Sequence, residues 1–209
     1  MSLYPVFKRT FDVVSSLLAV LILFPLLVAL AVLIRITGKG PAVFSQERAG
    51  KGGKPFIFYK FRTMKTEVDP FGPSPKSGQD PRLTKVGRFL REYSLDELPQ
   101  LLNIIKGDMS VVGPRPLYAS QMAEWNDREK KRLDVRPGLT GLAQVSGRGE
   151  LTREEKLELD VKYVETACFL SDMKIVLATI AQVFGRKSIY EKRYSKTECT
   201  RSQDTQKTE

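Results

Sequence analysis

Two adjacent carboxylates, Asp96 and Glu97, sit in the tetrapeptide Ser94-Leu95-Asp96-Glu97. Local physics gives them a structural role. Ser-x-x-Glu is the pattern of a reciprocal capping box, and Asp96 would complement the positive end of the helix it opens. Leu95, Leu98, Leu101, Leu102 and Ile105 follow at helical spacing, and Gly107 supplies a stop. The same placement also suits chemistry. A carboxylate in a first helical turn has its charged form favoured, so it stays ionised and can attack phosphorus. A helix N-terminus favours the phosphate under attack, and paired carboxylates beside phosphates suit Mg2+, a hard cation that prefers oxygen. Pro99 removes a backbone donor within the first turns, which departs from an ordinary helix start. Both roles remain open at this level.

Cations occur in positions that restrict them. Arg115 lies between Pro114 and Pro116, which hold the chain extended and suit a rigid guanidinium for bidentate phosphate binding. Arg91 precedes Asp96 by about one helical turn and the cap, Arg136 precedes Pro137-Gly138, and Arg148 follows Gly147. Lys60 ends the run Phe58-Tyr59-Lys60. Singly, each reads as a solvated charge. Together the arginines at Gly/Pro or helix-terminal positions point toward a phosphate site. Gly50-Lys51-Gly52-Gly53-Lys54 lacks the spacing and hydroxyl of a Walker loop, and no G-x-G-x-x-G occurs.

The elements that must carry these residues are constrained by composition. The chain has 209 residues, 34 Lys and Arg against 24 Asp and Glu, a formal net charge of +10, and no histidine. That excludes Ser-His-Asp triads, HExxH zinc sites and Cys2His2 fingers. Its two cysteines, Cys168 and Cys199, form no CxxC pair, so neither a disulfide scaffold nor a structural zinc is expected, and a reducing compartment fits.

Leu17 to Ile34 is a run of eighteen residues without a polar side chain, and Val13 to Ser16 extend it. About 20 such residues span a bilayer. A crossing helix, a secretory signal, a buried helix and a re-entrant segment all pass the length test. Pro25 near the middle kinks a helix. Lys8 and Arg9 before the run, and Arg35, Lys39, Lys51 and Lys54 after it, place basic residues on both flanks. Because a crossing helix concentrates Lys and Arg on one side, the re-entrant reading is preferred.

Further on, Ala42 to Phe61 reads as a β-hairpin turning at residues 50–53. Residues 66–81, with four prolines and two glycines, read as a loop. Thr84 to Tyr93 is a short helix. Residues 117–133 favour helix, residues 135–147 form a Gly-rich connection, and Thr152 to Phe169 and Ser171 to Phe184 make two helices capped by Thr152 and Ser171. The tail from about residue 185 is polar and expected to be loosely ordered.

Several of these stretches, in order, resemble the bacterial sugar transferases, the small monotopic polyprenyl-phosphate phosphoglycosyl transferases. They are Lys8-Arg9 with Asp12, the apolar run broken by Pro25, and residues 59–64, Tyr-Lys-Phe-Arg-Thr-Met. Ser94 to Gln100, Lys106 to Ser110, Gly113-Pro114-Arg115-Pro116 and Arg136 to Arg148 complete the set. Small members place Ser before the membrane proline, where this chain has Phe24. A Ser hydroxyl can bond a helix carbonyl and help it bend; Phe24 cannot.

The resemblance implies a mostly helical α+β fold with a re-entrant membrane helix kinked at Pro25, a small β-hairpin and amphipathic surface helices. It divides the chain into a membrane segment, residues 1–36, a catalytic domain, residues 37–185, and a polar tail, residues 186–209. It implies that Asp96 attacks the β-phosphate of a UDP-sugar, that UMP leaves, and that a polyprenyl phosphate, undecaprenyl phosphate above all, then takes the phosphosugar. Glu97 would assist with Mg2+ or protons, both carboxylates serving as metal ligands. Lys60, Arg91 and Arg115 match the family's phosphate-binding residues, with Arg136 and Arg148 as further candidates; Lys8, Arg9 and Pro25 belong to the membrane segment. The implied location is the cytoplasmic face of a bacterial inner membrane, with membrane lipid around the chain, no nucleic acid partner and room for a homodimer. The rival expectation is a membrane-held basic protein that binds anionic lipid or nucleic acid.

Overall fold

The computed structural model describes residues 3–69, 72, 75 and 77–185; the tail expected to be loosely ordered, residues 186–209, lies outside the described residues. The fold is mostly helical α+β. Helix α1, Tyr4–Thr37, is 34 residues long and runs unbroken through Pro25. Its buried residues are Asp12, Ser16, Leu30 and Ile34. Asp12 and Leu30 are 18 residues apart, about five turns, as are Ser16 and Ile34, so all four share one stripe. Toward the N-terminus that stripe is polar. Asp12 Oδ1 accepts from Ser110 Oγ at 3.0 Å and from the Val111 N–H at 2.9 Å. Toward the C-terminus it is apolar, where Leu30 and Ile34 pack on Phe61 and Leu90. The same body therefore holds both ends of α1. The rest of its circumference is exposed and apolar, including Leu18, Leu21, Ile22, Phe24 and Val32.

Of the basic flanks, Lys8 and Arg9 are engaged by the folded body, whereas Arg35, Lys39, Lys51 and Lys54 are exposed. Lys8 Nζ donates to Asp172 Oδ2 at 2.6 Å, and Tyr4 and Tyr163 hydroxyls donate to the same carboxylate. Arg9 donates to the Ile104 and Ile105 carbonyls, and Arg136 donates to that of Gly107. These oxygens end helix α3, Gln100–Lys106, and carry its negative pole. Past α1, Arg62 donates to the carbonyls of Ile34 and Lys39.

The expected hairpin is present as β1, Val43–Ala49, paired antiparallel with β2, Pro55–Phe61, in the register Val43↔Phe61 to Ala49↔Pro55. Residues 66–81 contain no helix or strand among those described. Helix α2, Lys85–Glu92, is capped by Thr84, whose hydroxyl accepts from the Gly87 N–H. A Cβ on Gly87 would lie 1.9 Å from the Thr63 carbonyl oxygen, so only glycine lets α2 dock this closely on the end of β2. Asn103 ties α3 to the hairpin, accepting from the Tyr59 N–H and donating to the Ile57 carbonyl.

The Gly-rich connection holds structure that its composition conceals. Strand β3, Ser110–Val112, pairs in parallel with β4, Gly138–Thr140. Gly113 and Gly138 meet backbone to backbone there: a Cβ on Gly138 would stand 2.1 Å from the Gly113 nitrogen. The helix-forming stretch is broken into 3-10 turns around helix α4, Asp127–Lys130. It is followed by helix α5, Leu142–Ser146, helix α6, Arg153–Thr166, and helix α7, Phe169–Gly185. Thr152 caps α6 as expected. Ser171 does not cap α7; the helix starts earlier, and Ser171 Oγ exchanges hydrogen bonds with the Cys168 backbone. Phe169 packs edge-on against Phe7 of α1 at 5.0 Å, which joins the exposed apolar faces of α7 and α1.

Arg132 is the strut under the Gly113-Pro114-Arg115-Pro116 loop. It is 3% exposed, pairs with Asp160 at 2.7 Å, lies over the Trp125 ring at 4.8 Å, and donates to the Arg115 carbonyl at 2.6 Å. Arg132→Met would leave Asp160 buried without its cation, at a cost of about 3–5 kcal/mol. A clear fall in unfolding temperature is expected, partly recovered when Asp160→Leu is added; an unchanged temperature would show that the strut is dispensable.

Candidate active site

Asp96 and Glu97 lie on a 3-10 turn, Leu95–Glu97, which is separate from α3. Pro99 breaks the two apart. The expected capping box is absent. Ser94 adopts a left-handed conformation, φ 55°, and its side chain caps nothing in the turn. Its hydroxyl instead accepts from Arg148 Nη2 at 3.1 Å. Arg148 is itself left-handed, φ 47°, and these are the two non-glycine residues with positive φ among those described. Such backbone strain persists where surrounding contacts over-determine it, and here the two strained residues hold each other.

The two carboxylates differ in what engages them. Glu97 Oε1 accepts from Arg115 Nη2 at 2.8 Å. Asp96 makes no hydrogen bond or ion pair among the described residues, although it is only 8% exposed. Their acidities diverge accordingly. Burial and the Glu97 charge push Asp96 up to about 6, against the pull of Arg91, Lys60 and Arg115. For Glu97 burial also acts upward, but the Arg115 charge and hydrogen bond, with Arg148 and Lys60, outweigh it and leave the group below its usual range. A helix N-terminus was expected to keep Asp96 ionised. That role falls to neighbouring cations, because the turn is not the start of α3.

Four of the expected cations meet at this pair. Lys60 lies on β2, its ammonium 5.2 Å from the ring of its cross-strand partner Phe44. Burial and then the Arg91 charge pull it down to about 8, partly offset by Asp96. Arg91 reaches from the last turn of α2, its Nε donating to Thr63 Oγ1 at 2.9 Å. Arg115 comes from its proline-bounded loop, and burial draws Arg148 below its usual range although Glu97 opposes that. Arg136 is not brought here; it closes the C-terminal end of α3, as does Arg9. Lys8 and Pro25 also lie elsewhere, on α1.

Sequence reasoning missed Arg48, Thr63 and the Arg132–Asp160 pair. Arg48 was discoverable from strand alternation, since it follows Phe44 by two full periods and so shares the hairpin face of Lys60. The others depend on long-range packing and leave no local signal.

Asp96 and Glu97 are the available oxygen ligands for a cation. No cluster of three or more acidic, His or Cys groups occurs among the described residues. That donor set fits Mg2+, which keeps several waters and is held by one or two carboxylates together with substrate phosphates. The arrangement as a whole sets a buried carboxylate without a partner beside several cations, a combination suited to binding an anion.

The bacterial sugar transferase profile matches residues 3–186. The chain is 42% identical over 189 residues to the sugar transferase EpsL of Bacillus subtilis, covering 88% of this chain and 90% of that protein. It is 43% identical to the UDP-glucose:undecaprenyl-phosphate glucose-1-phosphate transferase of Caulobacter vibrioides, covering 88% and 72%. It is 40% identical to the undecaprenyl-phosphate galactose phosphotransferase of Salmonella typhimurium, covering 88% of this chain and 41% of that longer protein. The extent of these matches, with the motifs now assembled around Asp96, establishes that the chain belongs to the bacterial sugar transferase family.

Proposed function

We propose that this chain transfers a sugar-1-phosphate from a UDP-sugar to a polyprenyl phosphate, undecaprenyl phosphate in particular, at the cytoplasmic face of a bacterial inner membrane. The observation that carries the reading is the contrast within the carboxylate pair: Glu97 is tied to Arg115, while Asp96 is buried among cations with its oxygens uncommitted. Relatives named for UDP-glucose and galactose support a hexose donor.

In the proposed sequence an Asp96 oxygen attacks the β-phosphorus of the donor. The bond from that phosphorus to the bridging oxygen breaks, and UMP leaves with the electron pair. An oxygen of the polyprenyl phosphate then attacks the phosphosugar-aspartyl ester, and the Asp96 carboxylate is released. No net proton transfer is required, because both attacking groups are already anionic. Lys60, Arg91 and Arg115 hold the phosphates and offset charge in the transition state. Glu97 orients Arg115. Bound Mg2+ would neutralise charge on the diphosphate from the Asp96–Glu97 side.

The membrane reading rests on α1. It is long and apolar enough to enter a bilayer, with mean hydropathy 3.3 over its best window. A helix that crossed the hydrocarbon core would carry its ends about 30 Å apart on opposite faces. Here Asp12 and Ile34 are anchored to one folded body, which supports a segment that enters and leaves by the same face. The exposed apolar faces of α1 and α7 would then lie in lipid, delivering the acceptor phosphate to the site from the membrane.

Three outcomes test this. With Mg2+ and undecaprenyl phosphate, the wild-type chain should release UMP from UDP-glucose or UDP-galactose, and Asp96→Asn should abolish that release because an amide is a poor nucleophile; UDP as the product, or an active variant, would refute the mechanism. Lys60 is charged below about pH 8 and neutral above it. The kcat/KM for the donor should therefore fall as pH rises through that value, and Lys60→Met should remove this limb from the profile. Single cysteines introduced at Leu3 and Lys39, in a Cys168→Ser, Cys199→Ser background, should both react with an impermeant thiol reagent from the same side of sealed vesicles. Labelling from opposite sides would make α1 a crossing helix.

A further inference from the structure

Arg48 lies on β1, and the hairpin register sets it on the face that carries Lys60: Phe44 opposes Lys60, Gln46 opposes Phe58, and Arg48 opposes Phe56. Its guanidinium stacks 3.6 Å from the Tyr118 ring and 5.7 Å from that of Phe58. One Nη2–H donates to Gln46 Oε1 at 2.8 Å, while Nε is buried and has no partner. No carboxylate pairs with Arg48 among the described residues. Burial acts most strongly against its charge, Tyr118 favours it, the Arg115 charge opposes it, and its own field reaches Lys60.

An arginine held this way is costly in isolation. It is partly stripped of water, repelled by its neighbours, and left with an unused donor. Lys60, Arg91, Arg115 and Arg148 gather around two carboxylates, Asp96 and Glu97, and Arg48 adds its charge beside Lys60 and Arg115. The excess positive charge calls for an anion. Arg48 is also displaced from the nucleophile. Asp96 feels Glu97, Arg91, Lys60 and Arg115, whereas Arg48 bears on Lys60 and Arg115. Along β1 it stands four residues, about 13 Å in Cα spacing, from the partner of Lys60, toward the hairpin turn.

We propose that Arg48, fixed in plane by Tyr118, binds the α-phosphate of the nucleoside diphosphate donor and stabilises the departing nucleoside monophosphate. This rests on the reaction proposed above. In a phosphoryl displacement the attacking and leaving oxygens lie roughly in line, so the leaving group departs on the side away from the nucleophile. When the β-phosphorus–oxygen bond breaks, its electron pair passes to the bridging oxygen on the α-phosphate, and negative charge grows there. A planar guanidinium that is always protonated meets that charge with charge-assisted hydrogen bonds from its Nη edge, the buried Nε facing away from the ligand. The stack on Tyr118 fixes its orientation beforehand. Nucleotide-side binding by Arg48 is thereby separated from β-phosphate binding by Lys60 and Arg91.

The test is equilibrium binding of UMP to the full chain in lipid nanodiscs, alongside its unfolding temperature and the KM for undecaprenyl phosphate. Arg48→Met should weaken UMP about tenfold or more, the size expected for a lost charged hydrogen bond. The unfolding temperature and the acceptor KM should stay unchanged. Arg48→Lys should recover only part of the loss, because an ammonium keeps the charge but not the fork. Unchanged UMP affinity in Arg48→Met would overturn the proposal. So would a raised acceptor KM with UMP binding intact, which would assign Arg48 to the acceptor phosphate, or a lowered unfolding temperature in both variants, which would make it a core residue. Turnover is read separately. UMP affinity that depends on Arg48, in a wild-type chain that releases no UMP from any donor, would uphold the nucleotide site while refuting the transfer reaction.

Discussion

A buried carboxylate that is to serve as the proposed nucleophile cannot be stabilised by the partner such groups normally acquire. Asp96 is that carboxylate, and much of the architecture follows from holding cations near it without letting one close on it. Arg91 is drawn off by Thr63, Arg115 by Glu97 and Arg148 by Ser94. Each tether fixes a guanidinium at a distance where its charge still acts on the carboxylate pair. The tethers are then braced from behind. Arg132 holds the Arg115 carbonyl, Asp160 holds Arg132, and the bare backbones of Gly113 and Gly138 let the loop lie against β4. Substituting any of these supports would act on the cation geometry before it acted on Asp96 itself.

The membrane segment obeys a second form of the same economy. Lys8, Arg9 and Asp12 could have remained a charged collar for lipid headgroups. Instead Lys8 meets Asp172, Arg9 closes the end of α3, and Asp12 accepts from β3. The Arg9 contact holds the end of α3 while Asn103 ties its flank to the hairpin. Since α3 directly follows the turn carrying Asp96, the apolar helix and that turn are mechanically adjacent. Pro25, preceded by Phe24 rather than Ser, lies inside this continuous helix, between the polar contacts of Asp12 and the apolar packing of Leu30 and Ile34.

Local signals made the hairpin, α6 and the apolar helix legible: β-favouring runs around a Gly-rich turn, the Thr152 cap, and an unbroken apolar run. They failed where the physics was not local. Residues 110–112 and 138–140 are three-residue strands joined across 25 intervening positions, too short to show alternation. The Ser94–Glu97 capping box was a sound reading of a tetrapeptide, yet both of its side chains have stronger distant partners in Arg148 and Arg115. The site was partly legible. Arg115 and Arg91 were marked by proline and helix-end positions, whereas Arg48 carries no punctuation and Arg136, which does, serves the end of α3.

The opposite shifts of two neighbouring carboxylates carry the argument about roles. Like charges this close cannot both be favoured, and one must yield. Glu97 wins because Arg115 and Arg148 favour its ionised form, so the burden of repulsion falls on Asp96. A raised carboxylate is a stronger base and hence a better nucleophile toward phosphorus than one held low by an ion pair. Near neutral pH, with its acidity at about 6, Asp96 is still mostly ionised. In the proposed reaction Glu97 would contribute by taking the tether: it occupies Arg115, and its charge adds to burial in raising Asp96. Exchanging the two roles would place the stronger ion pair on the attacking oxygen, which is the arrangement least suited to forming a phosphoryl ester.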